Sequence, residues 1–257
     1  MKNLIILIAI ICSTSLFAQD AKSIVEKFKT EMEATDQEVT LTMQLVGKSG
    51  SIRERSLIWS TMKAKTGLSS SYLLFTAPAD IKGTAFLSQE NATGNDDQWL
   101  FLPALKRSRR ISSNEKGQSF MGSDFTYDDL GEEDTNKSTY KLLKSEPTEA
   151  GILQIIEAVY TDQQKIKESG YSKRIITINE KTNTMVKTEF YGIDGKLKKS
   201  LTCSEFKQFG DQKRWRPMLY QMKNLEKGTE TILKFGDYKI DKGIDANRFT
   251  IRNLESN

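Results

Sequence analysis

Histidine is absent from all 257 residues. Its absence removes the usual general base, the usual partner of a nucleophilic serine or cysteine, and the commonest zinc ligand. Cysteine is nearly absent too, with only Cys12 and Cys203. Once an N-terminal leader is removed Cys203 stands alone, so no intramolecular disulfide can form and a hydrophobic core must carry the fold. Four prolines and no Pro/Gly-rich stretch leave no linker, which favours one domain over residues 19–257. Nothing repeats at a fixed period, which argues against solenoids and propellers. A strong charge of one sign is also missing: the net charge is +4 and the two signs are interspersed, so a nucleic-acid partner is not expected.

The one long apolar run lies at the start. Met1-Lys2-Asn3 precedes Leu4 to Ile11, and Ala18 offers a small residue for cleavage. This describes a secretory signal peptide over 1–18, too short for a membrane span. Leu16 is bulkier than the usual residue three positions back, so the cut can shift slightly. Cys12 follows Ile11 rather than the small residue that lipidation favours.

Asp20 followed by Ala21, Ile24, Val25, Phe28 and Met32 gives an N-cap and an apolar stripe, predicting a helix to about Ala34. It is the one clear helix in the pattern. Almost everything after it reads as strand. Val39, Leu41, Met43 and Leu45 alternate with polar residues, and further strands are expected through Trp59 and at 71–76, 84–89, 97–102, 139–145, 152–160 and 172–178. Turns at 179–183, 194–195, 210–211 and 227–228 make the second half an antiparallel meander.

About ten long strands form a sheet that curls, and its concave apolar face must be covered. The sheet either closes around its own side chains or leaves an apolar hollow beneath a lid formed by the N-terminal helix and 120–131. Methionine would suit such a lining, although each one is more simply a core residue.

Residues 96–134 are the densest in mixed chemistry. Trp99 and Phe101 point to one side of a strand and Leu100 and Leu102 to the other, so both faces are at least partly buried. Arg107, Arg109 and Arg110 follow, then Asp124, Asp128 and Asp129. The arginines either pair with those aspartates and staple the loop, or form a basic rim that meets head groups or an acidic partner. Ser123 reads as a cap for a helix beginning near Asp124, since no histidine exists to activate it as a nucleophile. Cys203 reads as a small buried hydrophobe. No carboxylate pair or Ser-Lys arrangement at a recognisable spacing supports an enzyme.

The run from Trp99-Leu-Phe-Leu-Pro-Ala-Leu-Lys-Arg107 to Ser119-Phe-Met-Gly-Ser-Asp-Phe-Thr-Tyr-Asp-Asp-Leu130 resembles the signature of the LolA-like outer membrane lipoprotein-sorting protein family. The resemblance implies a mainly β fold with a few helices: an open, half-closed antiparallel β-barrel with a helical plug or lid over an apolar concave face. It implies a periplasmic carrier of a lipid or acylated lipoprotein, without cofactor, metal or chemistry of its own. An RND-type inner-membrane exporter is the implied partner, and a cargo-free accessory of such an exporter is the alternative. The ligand candidates are Phe28, Met43, Trp59, Trp99, Phe101, Phe120, Met121 and Tyr127. Arg107, Arg109 and Arg110 are the candidates for contact with a head group or partner.

Overall fold

An alternating chain whose strands are joined by short glycine-bearing turns pairs its strands with sequence neighbours, and it does so almost throughout. The structure, a computed structural model, describes residues 21–256. The expected signal peptide and Cys12 lie outside the described residues.

Helix α1 (21–32) buries Ala21 and Val25 and half-buries Phe28, as its stripe predicts. Six strands follow: β1 (Asp36–Val46), β2 (Ile52–Lys63), β3 (Ser69–Ala77), β4 (Ala85–Gln89), β5 (Asp97–Leu102) and β6 (Arg107–Arg110). After the long connection 111–137 come β7 (Ser138–Thr148), β8 (Gly151–Tyr160), helix α2 (Gln163–Ser169), β9 (Tyr171–Asn179), β10 (Thr184–Gly192) and β11 (Leu197–Ser204). The chain ends with the small hairpin β12 (Lys207–Phe209) and β13 (Arg214–Arg216), then β14 (Leu219–Asn224), β15 (Thr229–Phe235), β16 (Lys239–Ile240) and helix α3 (Ile251–Glu255).

All strands but β12 and β13 join one antiparallel sheet, in the order β6-β5-β4-β3-β2-β1-β15-β14-β11-β10-β9-β8-β7, with β16 also on β1. The sheet is curved and not closed into a barrel. Its free edges are β6 and β7, which are consecutive in the chain. Residues 111–137 therefore have to travel from one edge to the other, and they do so across the concave face.

Register shows which residues share that face. Leu41 pairs with Leu57 on one side and Phe235 on the other, Leu57 pairs with Phe75, and Leu73 with Phe86. Leu201, Met222 and Leu233 continue the face on the far side of β1. The crossing segment drops Phe120 into this surface. Its ring centre lies 5.9 Å from Phe75, 5.4 Å from Phe86 and 5.6 Å from Tyr127, at the spacings of edge and tilted aromatic pairs.

One carboxylate pins the crossing segment down. Asp124 accepts hydrogen bonds from the hydroxyls of Thr229 at 2.6 Å and Thr231 at 2.9 Å, both on β15, while its own N–H donates to Thr231 Oγ1 at 2.8 Å. Lys199 Nζ donates to its carbonyl at 2.7 Å. No helix begins at Asp124, contrary to the expected Ser123 cap. Instead the segment makes separate single-turn 3-10 pieces at 120–122 and 128–130, because the backbone hydrogen bonds go to β15 and to neighbouring turns.

Two helices were not legible in the pattern. Helix α2 starts where Asp162 accepts from the N–H groups of Gln164 and Lys165, and stops at Gly170 in the left-handed region. It spans under two turns, too short for a periodic stripe. Helix α3 is shorter still. With Phe249 and Leu254 it covers the convex face of β3–β5, over Tyr72, Leu87 and Phe101.

Replacing Asp124 with Ala strips both threonine hydroxyls of their buried acceptor. The expected cost is about 2–4 kcal/mol in denaturant unfolding, with Asp124→Asn losing less because one acceptor oxygen survives.

Candidate ligand cavity

The crossing segment and α1 cover the concave face without filling it. Between them and the sheet lies a cavity of about 420 Å³, within the roughly 300–1,000 Å³ of small-ligand sites. Its wall is the alternating register described above: Leu41 and Met43 from β1, Trp59 from β2, Leu73 from β3, Leu201 from β11 and Met222 from β14. Its roof is Phe28 and Met32 from α1 with Phe120, Phe125 and Leu130 from the crossing segment. Five of the seven described methionines line it, namely Met32, Met43, Met62, Met185 and Met222. Unbranched thioethers re-pack around guests of variable shape, so this concentration favours an adaptable apolar ligand.

The rim is charged and well paired. Lys165 meets Asp128 at 2.6 Å, Lys199 lies 3.7 Å from Asp129, and Arg174 pairs with Glu133. The cations also sit over aromatic faces, Arg174 at 5.2 Å from the centre of Tyr160 and Lys199 at 5.6 Å from that of Tyr171. Burial lowers the Arg174 guanidinium to about 10 and pushes the Asp129 carboxyl up, against the pull of Lys199. These groups fix the rim in place. No group of acidic or cysteine side chains capable of holding a metal ion occurs among the described residues, and no helix there is long and apolar enough to cross a membrane.

Solved structures share this fold. A domain described as outer membrane lipoprotein-sorting protein, from Vibrio parahaemolyticus, is 32% identical with a TM-score of 0.85, the match covering 93% of this chain and 99% of that one. The chain belongs to the outer membrane lipoprotein-sorting protein family. A DUF1329 family protein from Desulfovibrio piger has the same fold at 23% identity and TM-score 0.85, over 93% of this chain and 99% of its own. A LolA superfamily protein from Nitrosomonas europaea has it at 20% identity and TM-score 0.67, over 90% and 97%. A family profile described only as "uncharacterized protein" matches residues 67–256. No curated protein matches the chain significantly.

Within this LolA-like frame the sequence candidates separate. Phe28, Met43, Trp59 and Phe120 line the cavity together. Tyr127 lies behind Phe120, against Phe86, and Met121, with a φ of 49° and its carbonyl accepting from Arg55, packs against the core without lining the cavity. Trp99 and Phe101 are carried to the opposite face of the sheet, beneath the C-terminal segment. Their odd positions on β5 put them there, while Gln98 and Leu100 face inward.

The expected staple is likewise corrected. Arg109 pairs with Glu115 at 2.6 Å and Arg110 with Asp97, and Arg107 is exposed. None of the three reaches Asp124, Asp128 or Asp129, because β6 is an edge strand with its guanidinium groups turned outward. Glu115, bonded to the N–H and hydroxyl of Ser112 and to Arg109, has its carboxyl lowered to about 2. The lining residues that went unnamed, such as Phe190, Leu201 and Met222, were marked only by strand alternation, which does not say which face is concave.

Cys203 is 3% exposed on the wall side of β11, and burial raises its thiol far above the usual range. Native protein should therefore resist alkylation at Cys203, read at that residue by mass spectrometry, and become labelled at the rate of a free thiol only on unfolding. Rapid native labelling would show that the wall opens.

Proposed function

We propose that this protein is a periplasmic carrier that holds a lipid, or the acyl chains of a lipid-modified protein, in the hollow and hands it on in envelope transport or outer-membrane sorting. The observation that carries the reading is the methionine-rich apolar cavity left open between the concave sheet and its cover. The N-terminal leader expected from the sequence and the family fold support an envelope location, with residues 19–257 working as one half-barrel.

Affinity in such a site comes from burying methylenes. At about 0.8 kcal/mol each, about ten supply the roughly 8 kcal/mol of micromolar binding, before any ordering cost. Exchange needs a cover that opens, and α1 is the element suited to it. Only Ala21 and Val25 are fully buried along it. Its polar attachments include Arg216 donating to the Met32 carbonyl at 2.9 Å, Lys22 to Asn136 at 2.9 Å, Thr135 to Glu26 at 3.3 Å, and Lys29 to the Glu133 carbonyl. The exposed arginines of β6 stand on a free sheet edge, where a partner such as an RND-type exporter or an anionic surface can reach them.

A cargo-free accessory is the competing reading. It requires the hollow to be packed by the protein's own side chains, and a cavity of about 420 Å³ is what such packing does not leave.

Gently purified protein, extracted with organic solvent, should yield lipid at near-equal molar amount by mass spectrometry. Trp59→Asp places a charge on the half-buried wall and should abolish loading while far-ultraviolet circular dichroism stays native. Absence of lipid together with failure to take up a fluorescent fatty-acid probe would leave the accessory reading standing instead.

A further inference from the structure

Beside the apolar hollow lies a second cavity of about 350 Å³ with a polar lining. Both are bordered by Lys29, Lys165 and the strip Asp128, Gly131, Glu132 and Glu133, so one ligand can reach from one to the other over that strip.

The inward face of β5 supplies the floor of this chamber. Gln98 is 1% exposed there. Its Nε2 donates to the Tyr127 carbonyl at 2.9 Å, and its Oε1 has no hydrogen-bond partner. A buried amide oxygen left without a donor is costly, so the site is short of a donor at that point.

Charge points the same way. Among the lining residues carboxylates outnumber ammonium groups seven to four. One of the seven, Glu133, is matched by Arg174 from outside the chamber. Every lysine is already engaged: Lys165 with Asp128 at 2.6 Å, Lys116 with the Asp96 carbonyl at 2.9 Å, Lys137 with Asn95 Oδ1 at 2.9 Å, and Lys29 with the Glu133 carbonyl. Three of the four thus spend their protons on neutral oxygens.

Three of the other acids are held by neutral donors. Asp96 accepts the Glu132 N–H at 2.9 Å, Glu90 the Ser69 N–H at 2.8 Å, and Glu168 the Asn95 amide at 2.9 Å. Burial raises the Asp96 carboxyl in spite of Lys116 nearby. Gly131 lets the strip lie directly on this group. Its φ of −83° suits any residue, yet a methyl there would meet Asp96 Oδ2 at 2.8 Å.

We propose that the polar chamber receives the protonated amine of the cargo's head group while the hollow holds its acyl chain, so that the cargo is an amine-bearing lipid. Gln98 Oε1, Asp96 and Glu90 are the acceptors for the ammonium protons. This deepens the carrier reading and rests on it.

The test uses three amphiphiles with the same chain, dodecylamine, dodecanol and dodecanoate, each below its micelle concentration near neutral pH. Each is titrated against the full-length mature protein carrying N-phenyl-1-naphthylamine as the displaced fluorescent probe. The amine should displace the probe at about tenfold lower concentration than the alcohol, with the carboxylate weakest. Asp96→Asn should erase most of the amine's advantage and leave the alcohol unchanged. Glu90→Gln gives an independent check should Asp96→Asn fail to fold. Equal displacement by all three would overturn the head-group assignment while leaving the carrier intact, and displacement by none would remove the carrier and this inference together.

Discussion

The two free edges of the sheet govern the rest of the structure. Because β6 and β7 are consecutive in the chain yet stand at opposite ends of the strand order, residues 111–137 have no short route between them. They must cross the concave face, which is also the face that needs covering. The crossing therefore does two things at once. Phe120, Phe125 and Tyr127 bury themselves against the sheet, and the strip 128–133 makes the partition between the apolar hollow and the polar chamber. Asp124 fixes where this happens by gripping β15, the strand that pairs with β1 where the second half of the sheet returns to the first.

Much of this was legible in the residues and some was not, for identifiable reasons. Alternation in β1 and the turns of the second half have local causes, so strand positions followed from sequence. The density of unlike chemistry in 96–134 also had a local reading, and the segment does border the hollow. What sequence could not supply was the side of the sheet. Residues on β5 alternate between two buried faces, one under the crossing segment and one under α3, so Trp99 and Phe101 looked as well placed as Leu100. Only the arrival of Phe249 and Leu254 from far along the chain decides between them. The arginines failed for a similar reason: their partners Glu115 and Asp97 are near in sequence, whereas the aspartates that looked complementary are taken by Lys165, Lys199 and two threonines from later strands.

Electrostatics then divides the interior. On the β8–β9 side, buried cations are matched by Asp128, Asp129 and Glu133 and by the faces of Tyr160 and Tyr171. Breaking one such pair strands a charge in a poorly solvated place, so this side behaves as a rigid frame. The β5 side differs, since Gln98 Oε1 is buried without a donor and Lys116 spends its own donor on the Asp96 carbonyl.

A carrier must also release. Affinity that grows with every buried methylene would trap a long acyl chain unless the cover yields more easily than the wall. The wall cannot yield, being continuous with the sheet ladder on both sides. Helix α1 can, since it has two fully buried residues and is otherwise held by polar tethers at its surface, which place its opening at the low end of local stability. One tether borders the proposed cargo site itself: Lys29 holds the Glu133 carbonyl on the very strip that separates hollow from chamber. In the proposed carrier a head group entering the chamber would compete for that lysine's surroundings, which would couple the attachment of the cover to the occupancy of the chamber through one side chain.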